Sequence, residues 1–245
     1  METSPAARDI GEILKEFADD YATDPMLIDA YFGISLGDRW WTVTSKQGDT
    51  AATVDLVERK PERPTWYFKI ADRSYIDQMY SGQMNAGTIM VKTWSSDVVP
   101  IDVERMEGFE PDSGLPGGDF YEEFVRVTFH FWYRGFPEVV KFGPGYTKMS
   151  HGVDMTTLYY QPGLRTAYFN IKKGQRANTD PKYQGSPFPK LFVFTGGRGK
   201  ASIRGVVVSV EKGERLFVPP WSTDQFWTEE ETPLEGVLVM FGEGA

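Results

Sequence analysis

Residues 213–226, GERLFVPPWSTDQF, decide how this chain is read. Arg215, Leu216, Phe217 and Val218 form a short strand that runs into Pro219-Pro220, where the backbone can no longer donate to a sheet ladder. The turn that follows redirects the chain. Upstream, residues 206–213 (VVVSVEKG) read as another strand closed by a glycine. Residues 192–199 (FVFTGGRG) read as a strand and a glycine turn, which predicts a hairpin rather than a phosphate loop. Further strands are expected at 156–160, 166–171, 190–195, 200–203, 205–210 and 236–241. Short strands broken by Gly and Pro, with no helical period between them, predict a sandwich or barrel of the jelly-roll type.

The first half has a different texture. Ile10, Ile13, Leu14, Phe17 and Tyr21 recur at helical spacing, opposite Asp9, Glu12, Lys15, Glu16 and Asp19. Strands are predicted at 40–44, 52–57, 66–70, 88–94 and 101–105. Between the third and fourth, Tyr75, Ile76, Met79 and Tyr80 make a helical stripe, capped by Asp72 or Ser74 and stopped at Gly82. Residues 107–119 (EGFEPDSGLPGGD) carry no periodicity and read as a linker or long loop. Beyond them Val125, Val127, Phe129, Phe131 and Tyr133 alternate with Arg126, Thr128, His130, Trp132 and Arg134, which predicts a strand with His130 on its polar, surface side. His151 is likewise expected at a surface turn. The chain is thus expected to have two domains: an α+β domain over residues 1–106, a linker and bridging strand over 107–145, and an all-β domain over 146–245.

Bulk chemistry narrows the function. A net charge of -9 argues against binding to nucleic-acid phosphates, and the absence of cysteine removes disulfides, thiolate nucleophiles and thiolate metal sites. No apolar run approaches the roughly 20 residues that span a bilayer. Residues 1–25 lack the order of a secretory signal, so a cytoplasmic protein is expected.

The second half resembles the cupin superfamily over about residues 150–245, on the three phrases quoted above together with residues 169–174 (FNIKKG) and 177–182 (ANTDPK). In metal-dependent cupins such phrases supply histidines. The resemblance puts Asp180 and Lys182 where a His-x-His pair would stand, and Asp224 where the last histidine would. An oxygen set of Asp180 and Asp224, with Glu214 or Gln225, would suit Mg or Ca rather than Fe, Mn or Zn, and Lys182 would repel a cation. No metal and no cofactor are expected.

Residues 70–91 (IADRSYIDQMYSGQMNAGTIMV) carry a second resemblance, to the sterol carrier protein family, over about residues 10–106. Gly87-Thr88-Ile89-Met90 stands where members often have Gly-Lys-Leu-Lys. The resemblance implies an apolar tunnel for a lipid or fatty-acyl group and no catalytic apparatus. Its lining would come from Trp40, Trp41, Trp66, Phe68, Met79, Met84, Ile89 and Trp94, the same residue types that fill an ordinary core.

The expected function is therefore non-catalytic binding of a hydrophobic or amphipathic small molecule. The metal-free β domain, with Asp180, Lys182, Trp221, Asp224 and Phe226 as candidate binding residues, would add a second pocket or a homodimer contact. Two alternatives stay open. One is a metal-independent isomerase or lyase using Asp180, Lys182, Asp224 or Tyr183 for proton transfer. The other is a structural assembly protein.

Overall fold

A computed structural model describes residues 8–91, 99–110, 118–135 and 137–245. The chain runs α1 (Ile10–Tyr21), β1 (Ala30–Leu36), β2 (Arg39–Lys46), β3 (Thr53–Val57), β4 (Trp66–Ile70), α2 (Arg73–Tyr80), α3 (Ala86–Met90), β5 (Ile101–Arg105) and α4 (Gly118–Phe131). After a 3-10 turn come β6 (Lys148–Ser150), β7 (Val153–Gln161), β8 (Leu164–Ile171), β9 (Lys190–Gly196), β10 (Arg198–Ile203), β11 (Val206–Glu211), β12 (Arg215–Val218), β13 (Asp224–Trp227) and β14 (Leu234–Phe241). These make two compact units. Met1–Gln83 with Pro100–Val139 forms the first, and Met84–Val99 with Val140–Ala245 the second.

The first unit is a five-stranded sheet in the order β3-β2-β1-β4-β5, with β1 and β4 parallel and the other pairs antiparallel. Alternation puts Phe32, Ile34, Trp41, Val43, Trp66, Phe68 and Ile70 on one face, all buried. α1 lays Ile10, Ile13, Leu14, Phe17 and Tyr21 inward, as its spacing predicts, and begins at Asp9, whose carboxylate accepts from the Gly11 amide at 2.7 Å. Rings fill the middle. Phe32 stacks on Trp66 at 5.0 Å and 11°, while Trp132 meets the edges of Phe17 and Phe68, each at 5.4 Å. Each buried ring of this size stabilises the fold by roughly 2 kcal/mol.

Two expectations fail here for physical reasons. Residues 124–131, expected as a strand, belong to α4. Their alternating pattern hides a helical stripe of Phe120, Phe124, Val127 and Phe131, and burial from Val127 through Trp132 leaves the helix end no solvent face to signal its period. His130 is accordingly buried, with Nδ1 2.8 Å from Asp24 Oδ2, instead of lying at the surface. The strand expected at 88–94 also fails. Asn85 caps α3, its Oδ1 accepting from the Thr88 amide at 2.8 Å, while its Nδ2 donates to the Thr157 carbonyl at 2.7 Å. Thr88 Oγ1 then accepts from the Thr157 amide at 2.9 Å, beside the bulge in β7. This capped turn docks α3 on β7, so the segment from Met84 groups with the second unit and not with residues 1–106. Part of that predicted strand, Trp94 included, and most of the 107–119 loop lie outside the described residues.

The second unit is a pair of antiparallel sheets, ordered β12-β9-β14-β8-β7-β6 and β11-β10-β13, around one apolar core. The chain switches sheets between β9 and β10, so the Gly196–Gly199 phrase is a crossover and not the hairpin expected of it. A Cβ on Gly197 would lie 2.0 Å from the Pro233 carbonyl oxygen, and φ there is +69°, so only glycine fits the crossing. The core is Val153, Phe169, Ile171, Phe192, Phe194, Val218, Phe226 and their neighbours.

The first unit contains a titration with a defined sign. Burial pushes the Glu138 carboxyl up to about 7, against a hydrogen bond from Tyr133 and helped by the charge of Asp24. The folded value lies above the ordinary 4.5, so its stabilising contribution is complete below pH 4.5 and is lost as pH rises through 7. Glu138→Gln should melt like the wild type at pH 4 and at a higher temperature than it at pH 8. Identical melting profiles across that range would contradict the assignment.

Candidate functional site

The turn that follows β12 sends Asp224 inward, as the cupin resemblance implies. Trp221 takes a left-handed backbone, φ +57°, and its amide donates to the Ser186 carbonyl at 2.7 Å. Ser222 is fully buried, and the chain re-enters the barrel at β13 with Asp224 and Phe226 both pointing inward. Trp221 itself is 67 % exposed and faces away from the interior.

What meets Asp224 is not what the sequence suggests. Lys182 is exposed and lies on a loop where its amide donates to Asp180 Oδ1 at 2.8 Å. The partner of Asp224 is Lys190, the first residue of β9, whose ammonium donates to Asp224 Oδ1 in a pair that is 4 % and 0 % exposed. The Tyr183 hydroxyl donates to the same oxygen and accepts from Lys190 Nζ at 2.6 Å, and Asn178 Nδ2 reaches Asp224 Oδ2 at 3.3 Å. Gly185 lets this loop close, since a Cβ there would sit 2.7 Å from the Ser222 carbonyl oxygen. Tyr183 was among the acid–base candidates. The sequence marks Lys190 only as a lysine on the inward parity of a strand otherwise reading Phe192, Phe194.

The electrostatics describe a closed network. Burial pulls the Lys190 amine down from its ordinary value, and the Asp224 charge pushes it back up. Burial, then the Asp224 charge, drive the Tyr183 phenol upward, so it stays a donor. Below this layer the barrel is filled by rings: Phe192 lies 4.2 Å from Phe226, and Phe169 and Phe194 close the cluster. Cupin-like metal chemistry does not fit these residues. Both carboxylate oxygens of Asp224 are engaged, a cation already sits against them, and among the described residues no group of three His, Asp or Glu side chains could hold a metal.

The residues proposed for an apolar tunnel are scattered. Trp41, Trp66, Phe68 and Met79 are buried in the first unit. Trp40 lies half-buried on the other sheet face against Tyr67, at 4.8 Å. Ile89 is buried and Met84 half-buried, both in the second unit.

One cleft of about 350 Å³ opens in the first unit, where the start of β1 meets the end of β2. Tyr31 and Phe109 give it an aromatic lining, with the fully buried Trp66 behind them, and Asp29, Lys46, Arg63 and Glu123 give it charges. The Trp66 indole donates to Glu123 Oε1 at 2.9 Å, and Arg63 lies over the Tyr31 ring at 4.3 Å.

No protein-family model matches the chain, and no curated protein does either. Similar solved structures include a cupin 2 conserved barrel domain protein from Salinispora arenicola, 12% identical, covering 43% of this chain and 88% of that one at a TM-score of 0.37. An RmlC-like cupin from Shewanella frigidimarina is 16% identical over 39% of this chain and 80% of its own, at 0.34. A protein described as a predicted oxalate decarboxylase from Thermotoga maritima is 16% identical over 36% and 79%, at 0.33. These neighbours are cupin proteins, and each covers about two-fifths of the chain. At such TM-scores they carry no inference about activity, and the barrel is defined by its own strand order. They lend no support to a sterol-carrier-like first unit.

The buried pair makes a quantitative prediction. Lys190→Met or Asp224→Ala alone leaves an uncompensated buried charge and should cost about 3–5 kcal/mol in denaturant unfolding. Lys190→Met combined with Asp224→Leu should recover most of that loss, because the ring-filled layer beneath accepts apolar side chains. A double variant as unstable as the sum of the singles would show that the pair does more than balance charge.

Proposed function

We propose that this is a non-catalytic binding protein in which the first unit holds an amphipathic small molecule, lipid- or fatty-acyl-like, and the second is a cupin-type barrel serving as a metal-free scaffold. The observation that carries the reading is the cleft, whose 350 Å³ lies within the range of about 300–1,000 Å³ usual for small-molecule sites. Its aromatic lining suits a hydrocarbon body, and the exposed Arg63 and Lys46 suit an anionic head. The acids opposite are already hydrogen-bonded: Asp29 by the Gln47 amide at 2.6 Å and Glu123 by Trp66. Among the described residues no helix is long and apolar enough to cross a membrane.

A second reading has one observation in its favour. The buried Lys190, Tyr183 and Asp224 are the groups a metal-independent isomerase or lyase would use for proton transfer. Their mutual saturation favours the scaffold.

Titration with a fluorescent medium-chain fatty acid tests the cleft. Arg63→Glu should weaken binding by about tenfold or more, since one charge-assisted contact is replaced by a repulsion, while melting stays near wild type because Arg63 is exposed. Unchanged affinity in Arg63→Glu, or no binding by the wild type, would remove the cleft from the account.

A further inference from the structure

α4 ends at Phe131, and Gly135, with φ +74°, turns the chain out of it. The first unit then ends at Val139, where the connection to the second begins. Of residues 137–139, Pro137 is exposed and Val139 is 87 % exposed, and only Glu138 is half-buried. The Glu138 carboxyl accepts from the Tyr133 hydroxyl, just past the end of α4, and feels the charge of Asp24 on the turn after α1. Asp24 has a partner of its own in the buried His130, whose Nδ1 lies 2.8 Å from Asp24 Oδ2. Tyr21, buried on α1, completes the ionisable groups about Asp24. Among the described residues no cation pairs with Glu138. The guanidinium groups of α4 and its end are engaged elsewhere, Arg126 with Glu122 and Arg134 with Asp20 and Glu16.

We propose that Glu138 is a proton-operated latch on the connection between the two units: protonated, it holds residues 137–139 against the first unit, and ionised, it releases them. The geometry supplies each part. A carboxyl set beside another carboxylate, half out of water and without a cation, is favoured in its neutral form. The residues on either side of it are exposed and give the segment no second anchor, so a single ionisation is enough to free it. Burial and the Asp24 charge hold the Glu138 carboxyl up at about 7, above the ordinary 4.5. The latch is therefore fully closed below pH 4.5 and opens as pH rises through 7. A rise of that size means that the held segment prefers the neutral carboxyl on the order of a hundredfold. Such a preference is ample to move a short, singly anchored segment from mostly held to mostly free.

The chain has no cysteine, so Val139→Cys gives a single labelling position on an exposed side chain of the segment itself. The anisotropy of a fluorophore there should fall as pH rises, with its midpoint at about 7. Adding Glu138→Gln, which keeps the neutral shape, should hold the anisotropy high at every pH. Adding Glu138→Ala, which removes the anchor, should leave it low at every pH. A fall that persists in Glu138→Gln would assign the transition to another group of the cluster, such as His130, and overturn the proposal. An anisotropy that does not change with pH in the labelled parent would overturn it too. Trypsin gives a reading on the unlabelled chain, independent of whether any variant folds. Cleavage after Lys141, exposed just beyond the latch, should speed up several-fold from below to above the transition, once normalised to the protease's activity on a small peptide. A constant normalised rate would contradict the latch.

Discussion

Two charges buried inside a barrel must answer each other, and in the second unit Asp224 and Lys190 do so. The carboxylate comes from the turn after Pro219-Pro220 and the ammonium from the start of β9, so the pair ties the three-stranded sheet to the six-stranded one at a single interior layer. Desolvating two ions costs several kcal/mol each, repaid only when the remaining lone pairs and protons are also satisfied. Tyr183 and Asn178 supply that satisfaction, and Gly185 allows the loop carrying Tyr183 to press against the turn that carries Asp224. The result is a barrel with its own cation built in, positioned over stacked phenylalanines. Such an interior joins the two sheets at one layer, with both carboxylate oxygens of Asp224 already engaged.

The first unit solves a different problem with different material. Its sheet has one apolar face, and the helices α1, α2 and α4 cover it with aromatic rings. Arg134, at the end of α4, bonds Asp20 at 2.6 Å and Glu16 at 2.9 Å and lies over the Tyr80 ring at 4.3 Å, joining all three helices. With the centre so filled, the cleft of this unit opens at the end of the sheet, between β1, β2 and the loop around Arg63. Of the residues the tunnel reading named, Trp66 alone borders that cleft.

Much of this was legible in the residues. The helical spacing of Ile10 to Tyr21 and the alternation of most barrel strands follow from local periodicity, and the inward aim of Asp224 from the cupin resemblance. What was hidden is nonlocal. Lys190 stands 34 residues from Asp224, and an isolated lysine at a strand's first position reads as a solvated end. α4 reads as a strand because its buried positions leave too little polar surface to mark a 3.6 period. α3 reads as a strand because the decisive bonds of Asn85 and Thr88 go to Thr157, some seventy residues away. In each case the local pattern was real, and a distant partner decided the outcome.

If Lys190 serves as the barrel's internal cation, the second unit has no use for a metal. The most direct measurement is elemental analysis of the full chain, purified without chelator from medium supplied with Mn, Fe, Ni and Zn. The account predicts well under one equivalent of every transition metal, for the wild type and for Asp224→Asn alike. One equivalent of any of them in the wild type, lost in Asp224→Asn while the protein remains folded, would contradict it.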